Sequence, residues 1–199
     1  KESFNIPEIH YAVYQNIIAI SLFNHEAHLF SHTYNGEHNI EKIEKLLFSR
    51  NYSNFNFKKI GLKKSNLTDD EFIDFVNKGI KHCYRGDVFQ LVLSRRFSQE
   101  FKGDEFNVYR TLRSINPSPY LFFFDYGDFK IFGSSPEAQL IIDSGKAEIH
   151  PIAGTYKRTG NDNLDSEAAI ELSKDAKENS EHVMLVDLAR NDLSRNGSK

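Results

Sequence analysis

The chain has 199 residues, with 25 Lys and Arg against 28 Asp and Glu and a formal net charge of −3. That near balance excludes an overall basic field for nucleic acid and a polybasic tail for a membrane, and the length suits one domain, or one domain with part of another. With 39% hydrophobic and 27% charged residues, the composition is that of a globular chain rather than a disordered one.

The longest nearly apolar stretch, Ile17 to Phe23, is interrupted by Ser21 and is too short to span a bilayer. The first residues mix charge and polarity and build no signal-peptide core. A lone Cys83 excludes an intramolecular disulfide and fits a reducing, cytoplasmic setting. Lys1 at the start and Asn196-Gly197-Ser198-Lys199 at the end read as cuts inside a longer protein.

In chain order, Ile17 to Asn24 and Ala27 to Thr33 are apolar-rich runs joined by Asn24-His25-Glu26, which predicts a β-hairpin. Ile40, Ile43, Leu46 and Leu47 recur at helical spacing among Lys and Glu, so 38–49 reads as an amphipathic helix. Arg50 to Asn66 is polar and rich in Asn and Ser, as expected of a connection between two units. Thr68 and Glu71 form a capping-box signature, followed by Phe72, Phe75, Val76, Gly79, Ile80 and Cys83 at helical spacing. Gly86 is placed to end that helix. Val88 to Leu93 is rich in strand formers and predicts a buried strand.

Asp104 is placed to cap a further helix through about Ser114, stopped by Asn116-Pro117. Two hairpins are expected next: Tyr120 to Gly133 around Tyr126-Gly127-Asp128, and Ala138 to His150 around Asp143-Ser144-Gly145. A Gly/Pro loop, Pro151 to Gly160, leads into helical sequence from about Asp165 to Arg195. The class is α+β with a largely antiparallel sheet.

Candidate chemistry concentrates late in the chain. Glu178 and Glu181 stand three residues apart, hence on one helix face, with His182 beside them. Two carboxylates and an imidazole so placed suit a hard cation such as Mg²⁺, and would equally suit a solvated face pairing with Lys174 and Lys177. Pro151-Ile152-Ala153-Gly154-Thr155 precedes the basic pair Lys157-Arg158. Its backbone N–H groups and hydroxyl suit a carboxylate, or form an ordinary exposed turn. Glu137, in Gly133-Ser134-Ser135-Pro136-Glu137, is a general acid if partly buried and otherwise a surface residue. Tyr120-Leu121-Phe122-Phe123-Phe124 reads as sheet core, because aromatics dominate cores.

The order of these segments carries more than any one of them. Asp87-Val88-Phe89-Gln90-Leu91-Val92-Leu93-Ser94-Arg95-Arg96-Phe97, Asn116-Pro117-Ser118-Pro119-Tyr120, Ser135-Pro136-Glu137 and Pro151-Ile152-Ala153-Gly154-Thr155 come first. Lys177-Glu178, Glu181-His182 and Val183 through Leu193 complete the series. Together they resemble the chorismate-utilising enzymes, and among them most closely the anthranilate synthase component I branch.

The resemblance implies an antiparallel-sheet-rich α/β sandwich of the chorismate-binding type, cut here at both ends. Residues 1–66 would be the later part of a regulatory region and residues 67–199 the first part of the catalytic domain. It implies conversion of chorismate and glutamine-derived ammonia to anthranilate and pyruvate, with Mg²⁺ as cofactor, a glutamine amidotransferase subunit as partner and tryptophan as feedback inhibitor. Glu181 would be a metal ligand with Glu178 beside it, Gly154 and Thr155 would hold a substrate carboxylate, and Glu137 would protonate the departing hydroxyl. Pro119, Tyr120 and Leu121 would line the tryptophan site.

Siblings that make aminodeoxychorismate through a covalent lysine tend to carry that lysine where Ala153 stands. Isochorismate and salicylate synthases place a lysine base where Gln90 stands. A neutral Gln cannot deprotonate water, which favours ammonia as nucleophile. Tyr156-Lys157 departs from a common Arg-Pro, and the family's motifs beyond Arg195 do not occur in these residues. The alternatives are an aminodeoxychorismate synthase component and a non-catalytic regulatory or interaction fragment.

Overall fold

Short-range chemistry accounts for most elements. In the computed structural model, residues 6–33, 35–49, 53 and 55–197 are described. The chain divides into two compact units, Lys1–Asn54 and Phe55–Lys199.

In the first unit, β1 (Asn16–Ile20) pairs antiparallel with β2 (Ala27–Ser31), Ile17 facing Phe30 and Ile20 facing Ala27. The Ser21 N–H donates to the Glu26 carbonyl at 2.8 Å, and His25 turns the chain with φ 58°. Helix α1 (Ile40–Phe48) follows, matching the amphipathic spacing. The Ser31 hydroxyl accepts from the Asn39 N–H at 3.3 Å and donates to Asn16 Oδ1 at 2.7 Å, tying the helix entry to the hairpin.

Of the polar stretch expected as a connection, Arg50, Asn51, Tyr52 and Asn54 lie outside the described residues. Further on, Lys58–Ser65 form strand β3, paired antiparallel with β4 (Phe97–Lys102). The register shifts between Ile60 and Lys64, where Gly61 adopts φ 66°, the left-handed conformation of a glycine bulge. Gln99 Nε2 donates to the Ile60 carbonyl at 2.7 Å, satisfying backbone that the shifted ladder leaves open.

Helix α2 (Asp69–Tyr84) starts at the expected capping box: the Glu71 N–H donates to Thr68 Oγ1 at 3.2 Å, and Glu71 Oε2 accepts from the Thr68 N–H at 2.8 Å. The Thr68 N–H, together with the Thr68 hydroxyl, which donates to Glu71 Oε2 at 3.0 Å, holds the Glu71 carboxyl below its usual range. The expected strand over Val88 to Leu93 is absent; these residues are irregular and mostly exposed. Strand formers become a strand only with a ladder partner, and the neighbouring ladder begins at Phe97.

Helix α3 (Phe106–Ile115) starts at Glu105 rather than Asp104, although the Asp104 carboxylate does accept from the Phe106 N–H at 2.9 Å. The hairpins β5 (Tyr120–Asp125) with β6 (Lys130–Ser135), and β7 (Ile141–Asp143) with β8 (Lys146–Glu148), lie where the sequence places them. Ser144 and Gly145 have φ 50° and 79°, the two positive angles of a type I′ turn. The helical tail is two helices, α4 (Asp162–Lys174) and α5 (Ala176–Asn196). The architecture is therefore α+β with antiparallel pairing throughout the described strands. Among the described residues, no helix is long and apolar enough to cross a membrane.

Packing rests on part-exposed aromatic groups, since among the described residues only Gly79 is buried. Phe123 meets Phe106 edge-on at 5.0 Å and stacks on Phe132 at 5.6 Å, with Tyr109 tilted against it at 5.4 Å. These contacts seat α3 on the β5–β6 hairpin. An ion pair from Glu105 to Lys130 staples the same joint, and Lys130 also approaches Asp125 at 3.4 Å. Lys130 holds the Glu105 carboxyl below its usual range, and Glu105 raises Lys130 in return.

A lowered folded value means that the Glu105 contribution is present at neutral pH and is lost as pH falls through that value. Melting temperature measured against pH is expected to fall less steeply on the acid side in Glu105→Gln than in the parent chain. Equal acid slopes would show that the pair does not stabilise this joint.

Candidate functional site

The site is built by the start of α5. The expected continuous helix breaks at Asp175, whose extended backbone ends α4 and whose carboxylate caps α5. Asp175 Oδ1 accepts from the Lys177 N–H at 2.9 Å and the Glu178 N–H at 3.0 Å. No Gly or Pro marks the break in the sequence; the aspartate alone makes it.

From that cap, α5 presents two adjacent stripes. Glu181, Leu185, Ala189, Asp192 and Leu193 line a cleft of about 830 Å³. Its other walls come from Gln90, from Glu137, Gln139 and Leu140, from the β7–β8 hairpin and from Pro151 and Ile152. Three residues with carboxylates and two with amides thus line a largely apolar pocket, and among the described residues no Lys, Arg or His lines it.

Glu178, Asn179 and His182 instead line a smaller cleft of about 230 Å³ with Ala153, Gly154 and Leu172. A Cβ added at Gly154 would fall 2.6 Å from Glu178 Oε2 and 3.0 Å from Leu172 Cδ1, and Gly154 has φ 33°. The positive φ favours glycine there, and a Cβ would have to push the flexible Glu178 carboxylate aside. The loop that follows is pinned by Asp165, which accepts from the Thr159 N–H at 2.7 Å and its hydroxyl at 2.8 Å. These bonds, helped by Arg158, lower the Asp165 carboxyl below its ordinary range.

A family model described as chorismate binding enzyme matches residues 1–199. The chain belongs to the chorismate-binding enzyme family. It is 48% identical over 132 residues to anthranilate synthase component 1 of Aquifex aeolicus, covering 66% of this chain and 27% of that protein. It is 41% identical over 189 residues to the Buchnera aphidicola protein of the same name, covering 90% of this chain and 35% of that one. The crystal structure of anthranilate synthase component I from Streptococcus pneumoniae TIGR4 superposes with a TM-score of 0.72 at 31% identity, over 92% of this chain and 42% of that one. The chain thus spans between about a quarter and two fifths of the length of these relatives.

In this member of the chorismate-binding enzyme family, the structure brings together Gln90, Glu137 and Glu181 from three separate motifs. It does not bring Glu178 into the same cleft as Glu181. Positions three apart on a helix differ by roughly 60° and about 4.5 Å of rise, enough to fall on opposite sides of a wall. Among the described residues, no group of three or more His, Cys, Asp or Glu is poised around one metal ion. Glu137 is exposed. Gly154 lines the smaller cleft, and Thr155 next to it is exposed.

Pro119, Tyr120 and Leu121 lie at the entry of β5, where Tyr120 faces Ser135, two residues before Glu137. They are not among the residues lining the acidic cleft. Sequence reasoning assigned no role to Gln139 or Asp192. The signal for Asp192 was present, because Glu181, Leu185, Asp192 and Leu193 share one helical stripe.

Gly154→Ala is expected to cost about 1–3 kcal/mol in urea denaturation, from left-handed strain and the clash with Glu178. A neutral substitution would show that the loop is free to move away from α5.

Proposed function

We propose that this chain contributes the acidic face of an anthranilate synthase component I, a Mg²⁺-dependent lyase that adds ammonia to chorismate. The observation that carries this reading is the cleft itself: Gln90, Glu137 and Glu181 converge there from three motifs, with carboxylates and, among the described residues, no basic group in its walls. Chorismate carries two carboxylates. An anion of that charge enters a cleft holding Glu137, Glu181 and Asp192 only if a cation offsets the repulsion. Oxygen donors of this kind fit Mg²⁺, with Glu181 as the ligand from the acidic cleft, while Glu178 faces the smaller cleft beside Gly154. When bound, the cation would neutralise the ring carboxylate and ease charge movement in the ring.

The chain's own residues supply the remainder. Glu137 donates a proton to the C4 hydroxyl, which departs as water while ammonia adds at C2. Gln90 hydrogen-bonds the incoming amine and removes no proton from water, which disfavours hydroxylation. Removal of the ring C2 proton then expels the side chain as enolpyruvate, which takes up a proton to become pyruvate and leaves anthranilate. Gly154 and Thr155 are assigned to a substrate carboxylate, and Pro119, Tyr120 and Leu121 to tryptophan feedback. A glutamine amidotransferase partner would deliver the ammonia in the cytoplasm. Ala153, where siblings of the aminodeoxychorismate type carry lysine, supports the ortho-amine product.

Calorimetric titration of the chain with chorismate, with and without Mg²⁺, tests the reading. Each ligand is expected to tighten the other by the same factor, as linkage requires, and Glu181→Gln is expected to remove that coupling. Chorismate heat that is indifferent to Mg²⁺ would overturn the metal assignment. For the reaction, ammonium-dependent product from an enzyme containing this chain is expected to run as the ortho-amine on chromatography; a para-amine would overturn the choice of branch.

A further inference from the structure

Gln90 reaches the acidic cleft from a segment with no ladder bonds to a partner strand. Such a segment needs another means of holding one side chain in one place. We propose that Asp87 and Gly79 are positioning residues that hold Gln90 at the cleft, an inference that rests on the cleft being the chorismate site.

The first anchor is a charged clamp at the end of α2. Asp87 Oδ2 accepts from Arg85 Nε at 3.1 Å and Nη2 at 2.5 Å, and lies 2.7 Å from His82 Nδ1. The Asp87 N–H donates to the His82 carbonyl at 3.1 Å. Backbone and side chain of Asp87 are therefore both tied to the last turn of α2, three residues before Gln90. The turn passes through Gly86, whose φ of 77° lets the chain reverse there.

The second anchor is apolar. Gly79 is the buried residue of α2, and a Cβ at that position would meet Leu91 Cδ2 at 3.0 Å and Leu93 Cδ1 at 3.6 Å. Glycine weakens a helix interior, so its presence here is explained by the space it gives to these two leucines. Gln90 is thus the residue between a clamp on one side and a packed leucine on the other. Beyond Leu93, Asn66 closes the segment: its N–H donates to the Arg96 carbonyl at 3.1 Å, and its Oδ1 accepts from the Arg96 N–H at 2.8 Å.

Nitrogen-15 relaxation on the 199-residue chain tests the inference without requiring turnover. The amides of Val88 to Leu93 are expected to show order parameters of about 0.85 in the parent, despite lacking ladder bonds, and to fall below about 0.6 in Asp87→Ala. Gly79→Leu, which puts a strong helix former into α2, is expected to do the same from the other anchor. Amides of α3 and of β5–β6 should not change in either variant, which separates local release from unfolding. Unchanged order over Val88 to Leu93 in both variants would overturn the inference.

Chorismate titration followed at the Gln90 side-chain amide adds the functional arm. A shift of that resonance is expected in the parent, with apparent affinity about fivefold weaker in each variant as the competent population falls. If chorismate moves cleft resonances but not Gln90, positioning toward substrate is refuted. If it moves no cleft resonance at all, the cleft reading fails, and the relaxation result alone then decides whether the anchors order Gln90.

Discussion

The arrangement of the candidate site depends on one capped helix start. Asp175 takes two backbone N–H groups at the beginning of α5 and thereby fixes both the position and the rotation of that helix. Every cleft residue from Glu178 to Leu193 inherits its direction from that cap, because a helix transmits rotation rigidly along its axis. With α5 so set, Glu178 lies against the Gly154 backbone and Glu181 faces Gln90 and Glu137. A cap shifted by one residue would rotate the helix by about 100° and exchange these neighbours.

Caps and close backbone approaches do more of this work than ion pairs. Arg158 sits 3.4 Å from Asp165 but is 86% exposed, and Arg190 lies 3.3 Å from a similarly open Asp187. Such pairs contribute little, because water screens them and ordering long side chains costs entropy. Asp165 is held chiefly by the Thr159 N–H and hydroxyl, and Glu71 by Thr68. The pair from Glu105 to Lys130 differs, since both side chains are partly covered and an aromatic cluster packs the same joint.

These local devices explain which parts of the molecule could be read from sequence. The Thr68 box, the Ser144-Gly145 turn and the α1 periodicity are written in neighbouring residues, and each stands where expected. Strand β3 was hidden because Lys58–Ser65 is lysine-rich and owes its conformation to a partner more than thirty residues away. Val88 to Leu93 misled in the opposite direction, having strand-forming side chains and no ladder. At the site, residue types were legible and partition was not. Spacing placed Glu178 and Glu181 on one side of a helix, but the wall formed by Ala153 and Gly154 assigns Glu178 to its own cleft.

That partition sharpens the electrostatic logic of the acidic cleft. Glu137, Glu181 and Asp192 line it together with two neutral amides, so its field favours cations and resists anions. A lysine in place of Gln90 would enter that field and be held protonated by the carboxylates, opposing the proton loss that a general base needs. The same positive charge would compete with a divalent cation for Glu181. Gln90 avoids both effects: it offers a donor and an acceptor without adding charge to a site where charge is already the governing constraint. On the proposed reading, neutrality at this position therefore serves cation binding as much as the choice of nucleophile, and the two cannot be varied independently.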